Sequence, residues 1–185
     1  MKFDSKRNVV EIVSYNDKQV VRKIFTFEED CLRERSFYEN MSEKLPMPGV
    51  LETGSDFLIV EYIPSKNLCE VLEEQTRLGY DETPWSALLH WISDCRKMSG
   101  MIPTDGNLRN FLWDGNTKTL YGIDFEQYDR GTVEMAYAHI LVQLPTYRGI
   151  SQDIVDRITD LFPKVSHDAY NIAMNAMCIR RGRCY

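Results

Sequence analysis

The sequence predicts an α+β fold in two parts. Residues 1–63 read as a small β-rich lobe with one helix, and residues 64–185 as a mainly helical lobe, together forming a single domain. Three observations carry this prediction. Val- and Ile-rich runs broken by polar turns fill the first part. Apolar residues recur at steps of three and four through most of the second. Between the helices of the second part, Asp114-Gly115-Asn116 splits two short apolar runs into a hairpin. A length of 185 residues suits one domain, or two small lobes that share a core.

The elements follow in order. Asn8–Tyr15 and Gln19–Phe27 are β-rich runs around the turn Asn16-Asp17-Lys18, so they read as a hairpin. Glu28–Leu45 reads as a helix, with Cys31, Glu34, Tyr38, Met41 and Leu45 on one face and Pro46 and Pro48 ending it. Val50–Thr53 and Phe57–Tyr62 are strand candidates around Gly54-Ser55-Asp56. After Pro64 the pattern becomes helical at Asn67–Leu78 and Pro84–Lys97. A polar loop follows at Ser99–Arg109, then short strands at Asn110–Trp113 and Thr119–Asp124. Thr132–Leu144, Ser151–Phe162 and Ser166–Arg180 read as helices, their stripes (Met135-His139-Val142, Ile154-Ile158-Leu161) facing the core.

Composition excludes several classes. Hydrophobic residues make up 43% and charged residues 27%, as in ordinary globular domains. A net charge of −6 and a pI near 5.1 argue against broad nucleic-acid binding, which needs a basic surface. The longest apolar runs, Phe57–Val60 and Ile140–Val142, cannot span a bilayer, and Met1–Ser5 lacks the apolar core of a signal peptide, so no membrane association and a cytoplasmic location are expected. The five cysteines, Cys31, Cys69, Cys95, Cys178 and Cys184, are odd in number and widely spaced, which suggests neither a disulfide framework nor a zinc site. His90, inside the apolar run Trp85–Ile92, is expected as a packed core residue.

Two groups of residues carry chemistry. Asn110 opens one strand of the predicted hairpin and Asp124 closes the other, which would set two oxygen donors on one rim. Asp105 precedes them on the entering loop, and three hard oxygen groups at one edge would suit Mg²⁺ with phosphate. In the first part, Val21, Lys23 and Phe25 share one strand face, and Glu34 lies on the apolar stripe of the next helix. A carboxylate among apolar side chains needs a partner, and Lys23 is the obvious one. Glu39, the other candidate, falls on the polar face with Leu32, Ser36 and Glu43.

These pieces, in this order, resemble the protein-kinase-like superfamily, especially its atypical branch of aminoglycoside and choline phosphotransferases and RIO-like kinases. Val20-Val21-Arg22-Lys23 resembles the third-strand lysine motif, and Leu32-Arg33-Glu34-Arg35 the helix that pairs with it. Ile59–Pro64 followed by Asn67-Leu68 is similar to the hinge between lobes. Ile102–Leu112 is similar to the catalytic loop with its D-x-x-x-x-N core, and Tyr121–Glu126 to the metal-binding D-F-G in its D-F-E form. The resemblance spans residues 5–145 and implies a bilobal kinase-like fold and an ATP- and Mg²⁺-dependent phosphotransferase. The acceptor would be a hydroxyl of a protein Ser/Thr or of a small alcohol. It also implies roles. Lys23 would hold the α- and β-phosphates, Glu34 would position Lys23, and Asp105 would orient or accept the acceptor's proton. Asn110 and Asp124 would ligate Mg²⁺. Val21 would face adenine, with Val60 at the gatekeeper position and Glu61 and Ile63 bonding adenine through their backbones.

The pattern also departs from the family. Ser5-Lys6-Arg7-Asn8 has no glycine where a glycine-rich loop is expected, so backbone amides there approach phosphate less freely. Pro103 and Thr104 stand where the family has His and Arg, so control by a phosphorylated activation loop is not expected. Glu126 replaces the glycine of D-F-G and adds an acidic neighbour to the metal site. The basic end Arg180-Arg181-Gly182-Arg183 complements a helix dipole or contacts a phosphate or partner. A catalytically weak pseudokinase, serving as a nucleotide- or protein-binding scaffold, is therefore the alternative, and an unrelated α+β binding domain is a third reading.

Overall fold

Two-residue turns and alternating apolar runs build the first part of the molecule. The computed structural model describes residues 2–3 and 8–182. Ser5-Lys6-Arg7 of the expected phosphate loop, Arg183 and Cys184 lie outside them. The chain divides into two units, Met1–Pro64 with Tyr121–Glu126, and Ser65–Leu120 with Gln127–Tyr185.

In the first unit, β1 (Lys2–Phe3), β2 (Val9–Tyr15) and β3 (Lys18–Ile24) are followed by α1 (Glu28–Met41), β4 (Val50–Thr53) and β5 (Phe57–Glu61). The five strands form one antiparallel sheet in the order β1-β2-β3-β5-β4. Asn16 and Asp17 make the predicted β2–β3 turn with φ of 47° and 61°, the left-handed pair that a tight hairpin demands and that Asn and Asp tolerate. The helix α1 carries Glu28, Glu29 and Asp30 in its first turn, where negative charge complements the dipole. It buries Cys31, Glu34, Phe37, Tyr38 and Met41. It ends at Met41 rather than Leu45, because the last residues tighten into a turn in which the amides of both Lys44 and Leu45 bond the Met41 carbonyl.

In the second unit, β6 (Lys66–Asn67) leads into α2 (Leu68–Leu78) and α3 (Thr83–Ser99). Asn67 and Glu70 close a reciprocal capping box at the start of α2. Gly100 ends α3 in the left-handed region, at φ 75°. The short strands β7 (Met101–Pro103), β8 (Phe111–Asp114), β9 (Thr119–Gly122) and β10 (Tyr128–Arg130) follow, then α4 (Val133–Gln143), α5 (Gln152–Leu161) and α6 (His167–Arg180). β7 pairs with β10 and β6 with β8, and β9 is the third strand beside β8. The stretch expected as one polar loop, Ser99–Arg109, therefore contains a strand. Periodicity could not show this, since a three-residue strand has no readable alternation.

The α3 face corrects one expectation. Trp85, Leu88, Trp91, Ile92 and Cys95 are buried at helical spacing, whereas His90 is exposed. His90 falls one position outside that stripe, so an apolar neighbourhood in sequence places it on the solvent side in space. Trp85 donates its indole N–H to Gln75 Oε1 at 2.9 Å, and Gln75 donates to the Asp81 carbonyl at 2.9 Å, so a buried amide is satisfied on both sides. The α4–α6 seam is built from Ala138, Val142, Ala169, Ala173 and Met177, and its small residues let the two helices approach closely. Cys31, Cys69, Cys95 and Cys178 are free thiols, the first three buried. Among the described residues, no helix is long and apolar enough to cross a membrane.

Candidate functional site

The strand β3 delivers Lys23 to the sheet face that α1 covers. Pairing within the sheet sets Lys23 opposite Leu58 and Val10, and Val21 directly opposite Val60. The two apolar residues assigned by resemblance to the adenine side are thus cross-strand neighbours. Glu61 ends β5, where its N–H donates to the Gly49 carbonyl at 2.8 Å and its carboxylate accepts from the Gly49 N–H at 3.0 Å. Ile63 follows at partial exposure.

Lys23 is almost fully buried, and three carboxylates converge on its ammonium group. Lys23 Nζ donates to Glu34 Oε2 at 2.7 Å and to Asp124 Oδ1 at 2.6 Å, and lies 2.7 Å from Glu126 Oε1. The Phe25 ring, one residue past the end of β3, sits 4.8 Å from the ammonium and adds a cation–π contact. Glu34 is 3% exposed, and Glu39 lies outside on the solvent face. The periodicity argument that chose Glu34 over Glu39 therefore matches the side-chain placement.

Electrostatics follow from three negative charges around one positive charge. Burial alone would lower the Lys23 ammonium, but Glu34, Asp124 and Glu126 outweigh it and hold the group charged, raised above the ordinary lysine value. Glu34 shows the opposite balance. Complete burial pushes its carboxyl up to about 7, against the pull of Lys23 and with help from the neighbouring Asp124 and Glu126 charges.

Asp124 reaches this cluster through an unusual backbone. It does not close a strand, as the sequence suggested; β9 stops at Gly122, and Asp124 has φ 63°, a left-handed conformation that no strand residue adopts. The Gly122 N–H donates to the Pro46 carbonyl at 3.1 Å, and Phe125 stacks on Phe37 at 4.5 Å and meets Tyr38 edge-on at 4.9 Å. These contacts pin the residues on either side of Asp124. Its carboxylate stays 47% exposed, so one end of the cluster faces solvent.

Two further residues belong to this cluster and were not among the predicted site residues. Glu126 is buried and accepts a hydrogen bond from Asn8 Nδ2, while its carbonyl accepts from Arg33 Nη1 at 3.2 Å. Asn8 also accepts from the Thr26 N–H at 3.1 Å. The D-F-E spelling marked Glu126 as an acidic neighbour, but nothing in its sequence position signals a direct bond to Lys23. Asn8 carried no signal beyond the absence of glycine before it.

Asp105 and Asn110 lie in the second unit. Asn110 is buried in a single 3-10 turn, Leu108–Asn110, rather than opening a strand. The turn forms because Asn107 accepts the Arg109 N–H on its side chain and the Asn110 N–H on its carbonyl, a local bonding pattern that competes with strand pairing. Asp105 accepts from Gln143 Nε2 at 2.8 Å. Gly106 follows it where only glycine fits, since a Cβ would come within 2.0 Å of the His139 carbonyl oxygen. The structure thus brings Lys23, Glu34 and Asp124 together in one unit and sets Asp105 and Asn110 five residues apart on one loop of the other.

The Glu34, Asp124 and Glu126 oxygens lie within 4.8 Å of one another. Three carboxylates against one ammonium leave surplus negative charge, and carboxylate oxygens are the donors a hard divalent cation selects.

No family model and no curated protein sequence matches the chain. Solved structures do match. A thermostable mutant of aminoglycoside phosphotransferase APH(4)-Ia, in its apo form, superposes with a TM-score of 0.74 at 10% sequence identity, over 99% of this chain and 86% of that chain. At that identity the likeness is one of fold. A small antiparallel sheet with one covering helix, a mainly helical second unit and this neighbour together give the chain a kinase-like α+β fold.

Proposed function

We propose that this chain is an ATP- and Mg²⁺-dependent phosphotransferase that moves the γ-phosphate to a hydroxyl acceptor. The observation that carries the reading is the bonding of Lys23 to both Glu34, at 2.7 Å, and Asp124, at 2.6 Å. A buried lysine that joins a helix carboxylate to a solvent-facing carboxylate is the arrangement that phosphate positioning requires.

In this reading Lys23 binds the α- and β-phosphates, and Glu34 fixes the direction of its ammonium. Val21 and Val60 flank adenine, which bonds backbone groups of Glu61 and Ile63. Asp124 and Asn110 would hold Mg²⁺, which would supply positive charge against the phosphates. The donor set fits: Asp124 is a half-exposed carboxylate beside surplus negative charge. Asp105 accepts the proton of the acceptor hydroxyl as its oxygen bonds to the γ-phosphorus. The bond from that phosphorus to the β–γ bridging oxygen breaks, and ADP leaves with the electron pair. The acceptor is a small alcohol or a protein Ser/Thr.

One observation favours the scaffold reading instead. An ammonium has three protons; Lys23 donates to Glu34 and to Asp124, and a third carboxylate, Glu126, lies 2.7 Å from it. A phosphate must displace one of these carboxylates, and Asp124, the exposed one, is the partner that can move to a metal.

Transfer from γ-labelled ATP, with water and a panel of alcohols as acceptors, tests the assignment. Asp105→Ala and Asp124→Ala are each expected to lower turnover at least ~100-fold. Turnover equal to that of the intact protein in both variants overturns the roles.

A further inference from the structure

We infer that Gln143 and Arg180 are positioning residues for Asp105, with α4 and the C-terminal end of α6 acting as a brace on the loop that carries it. The inference rests on the reading of Asp105 as the acceptor-side carboxylate.

The loop is held bond by bond. Thr104 donates both its N–H and its hydroxyl to the Gln127 carbonyl at 3.0 Å. The Thr104 carbonyl accepts from Arg180 Nη1 at 2.6 Å. Asp105 Oδ1 accepts from Gln143 Nε2 at 2.8 Å. Gly106 packs against the His139 carbonyl and the Ile140 backbone nitrogen, so the α4 backbone forms the wall behind the loop. Farther on, the Tyr147 hydroxyl accepts from the Leu108 N–H at 2.9 Å and donates to Asn107 Oδ1 at 3.3 Å.

One of these bonds sets the carboxylate itself, and a second sets the peptide before it. Gln143 is a buried amide at the end of α4, and its side chain is spent on a partly exposed aspartate. Without it, one Asp105 oxygen loses its fixed donor and the carboxylate gains a free torsion. Arg180 acts one peptide earlier. Ala169, Ala173 and Met177 seat α6 on Ala138 and Val142 of α4, and Arg180, three residues after Met177, emerges on that same face. The seam therefore aims the guanidinium at the Thr104 peptide. A second bond, from Arg181 Nη2 to Thr146 Oγ1 at 3.0 Å, anchors the helix end beside it. A basic residue that served only the α6 dipole would turn to its own terminal carbonyls; Arg180 instead bonds a carbonyl 76 residues away.

The test uses the full chain with Mg-ATP, water as acceptor, and amide hydrogen exchange read by peptide. Arg180→Met and Gln143→Met should each lower kcat about tenfold while the KM for Mg-ATP stays within about twofold, because orientation is lost and nucleotide binding is not. Arg180→Met should also speed exchange in 104–109 without speeding it along the α4–α6 seam. Arg180→Lys keeps one donor for the Thr104 carbonyl and should restore both readouts. Unchanged kcat and unchanged exchange in Arg180→Met overturn the brace. Exchange that rises equally along α4 and α6, with no rescue by lysine, marks a purely structural contact and overturns it too. Turnover that is absent, or equal in the intact protein and Asp105→Ala, overturns the functional reading beneath it, which the exchange measurement separates from failure of the brace.

Discussion

Replacing Lys23 by methionine is expected to cost about 3–5 kcal/mol of stability at pH 7 and to abolish nucleotide binding. The methionine fills much of the lysine volume, so the loss is one of charge. It strands Glu34, 3% exposed, and Glu126, 7% exposed, without the cation that both face. Against a typical total of about 5–15 kcal/mol, a loss of that size removes a large share of the folding free energy. Urea unfolding at pH 7 measures it. Acidification to pH 5 should recover little of the loss, because Glu34, freed from the pull of Lys23, rises above its value of about 7 in the intact chain and already holds a proton at pH 7. The double variant Lys23→Met with Glu34→Gln should be more stable than Lys23→Met alone, since glutamine is neutral at pH 7 without taking up a proton on folding. A loss under about 1 kcal/mol in the single variant would show that water, not Lys23, balances these carboxylates.

The second large effect is on the pH dependence of stability. Glu34 titrates at about 7 in the folded chain, against an ordinary value of 4.5. Between those values the folded state holds a proton that the unfolded state has released. Stability from this group is therefore full below pH 4.5 and is lost as pH rises through about 7. Glu34→Gln cannot titrate. Near pH 4.5 it should match the parent, whose Glu34 is then neutral, and by pH 7.5 it should exceed the parent by up to about 3 kcal/mol. The difference between the two proteins is the quantity to measure, because His139 works in the opposite direction in both. Burial lowers His139 to about 4 from 6.5, so its contribution is present above pH 6.5 and is lost as pH falls through 4. A stability difference that stays flat from pH 4.5 to 7.5 would contradict the Glu34 assignment. The same substitution weakens the hold on Lys23, so gain in stability and loss of turnover should appear together.

What is legible in the sequence, and what is not, divides by the range of the interactions. The β2–β3 hairpin is readable because its turn needs two left-handed residues, and Asn16-Asp17 supplies them. The Lys23–Glu34 pair is readable because a carboxylate on the apolar stripe of α1 demands a cation and the neighbouring strand offers one. Asn110 and Asp124 read as strand residues, yet neither joins a strand. One is drawn into an Asx-capped turn and the other into a left-handed conformation, and both are local choices that residue alternation does not reveal. His90 reads as a core residue and lies outside, because the composition of a run says nothing about its phase on the helix. Glu126 at Lys23, Gln143 at Asp105 and Arg180 at Thr104 join residues 103, 38 and 76 positions apart, and only the folded chain brings such pairs together.

If this fold binds Mg-ATP for transfer, the nucleotide must raise its melting temperature. A ligand that binds only the folded chain stabilises it by about 2.7 kcal/mol at one hundred times its dissociation constant. A clear rise in melting temperature is expected at millimolar Mg-ATP, reduced in Asp124→Ala and lost in Lys23→Met. A melting temperature that does not move with millimolar Mg-ATP, or that rises equally in all three proteins, would contradict it.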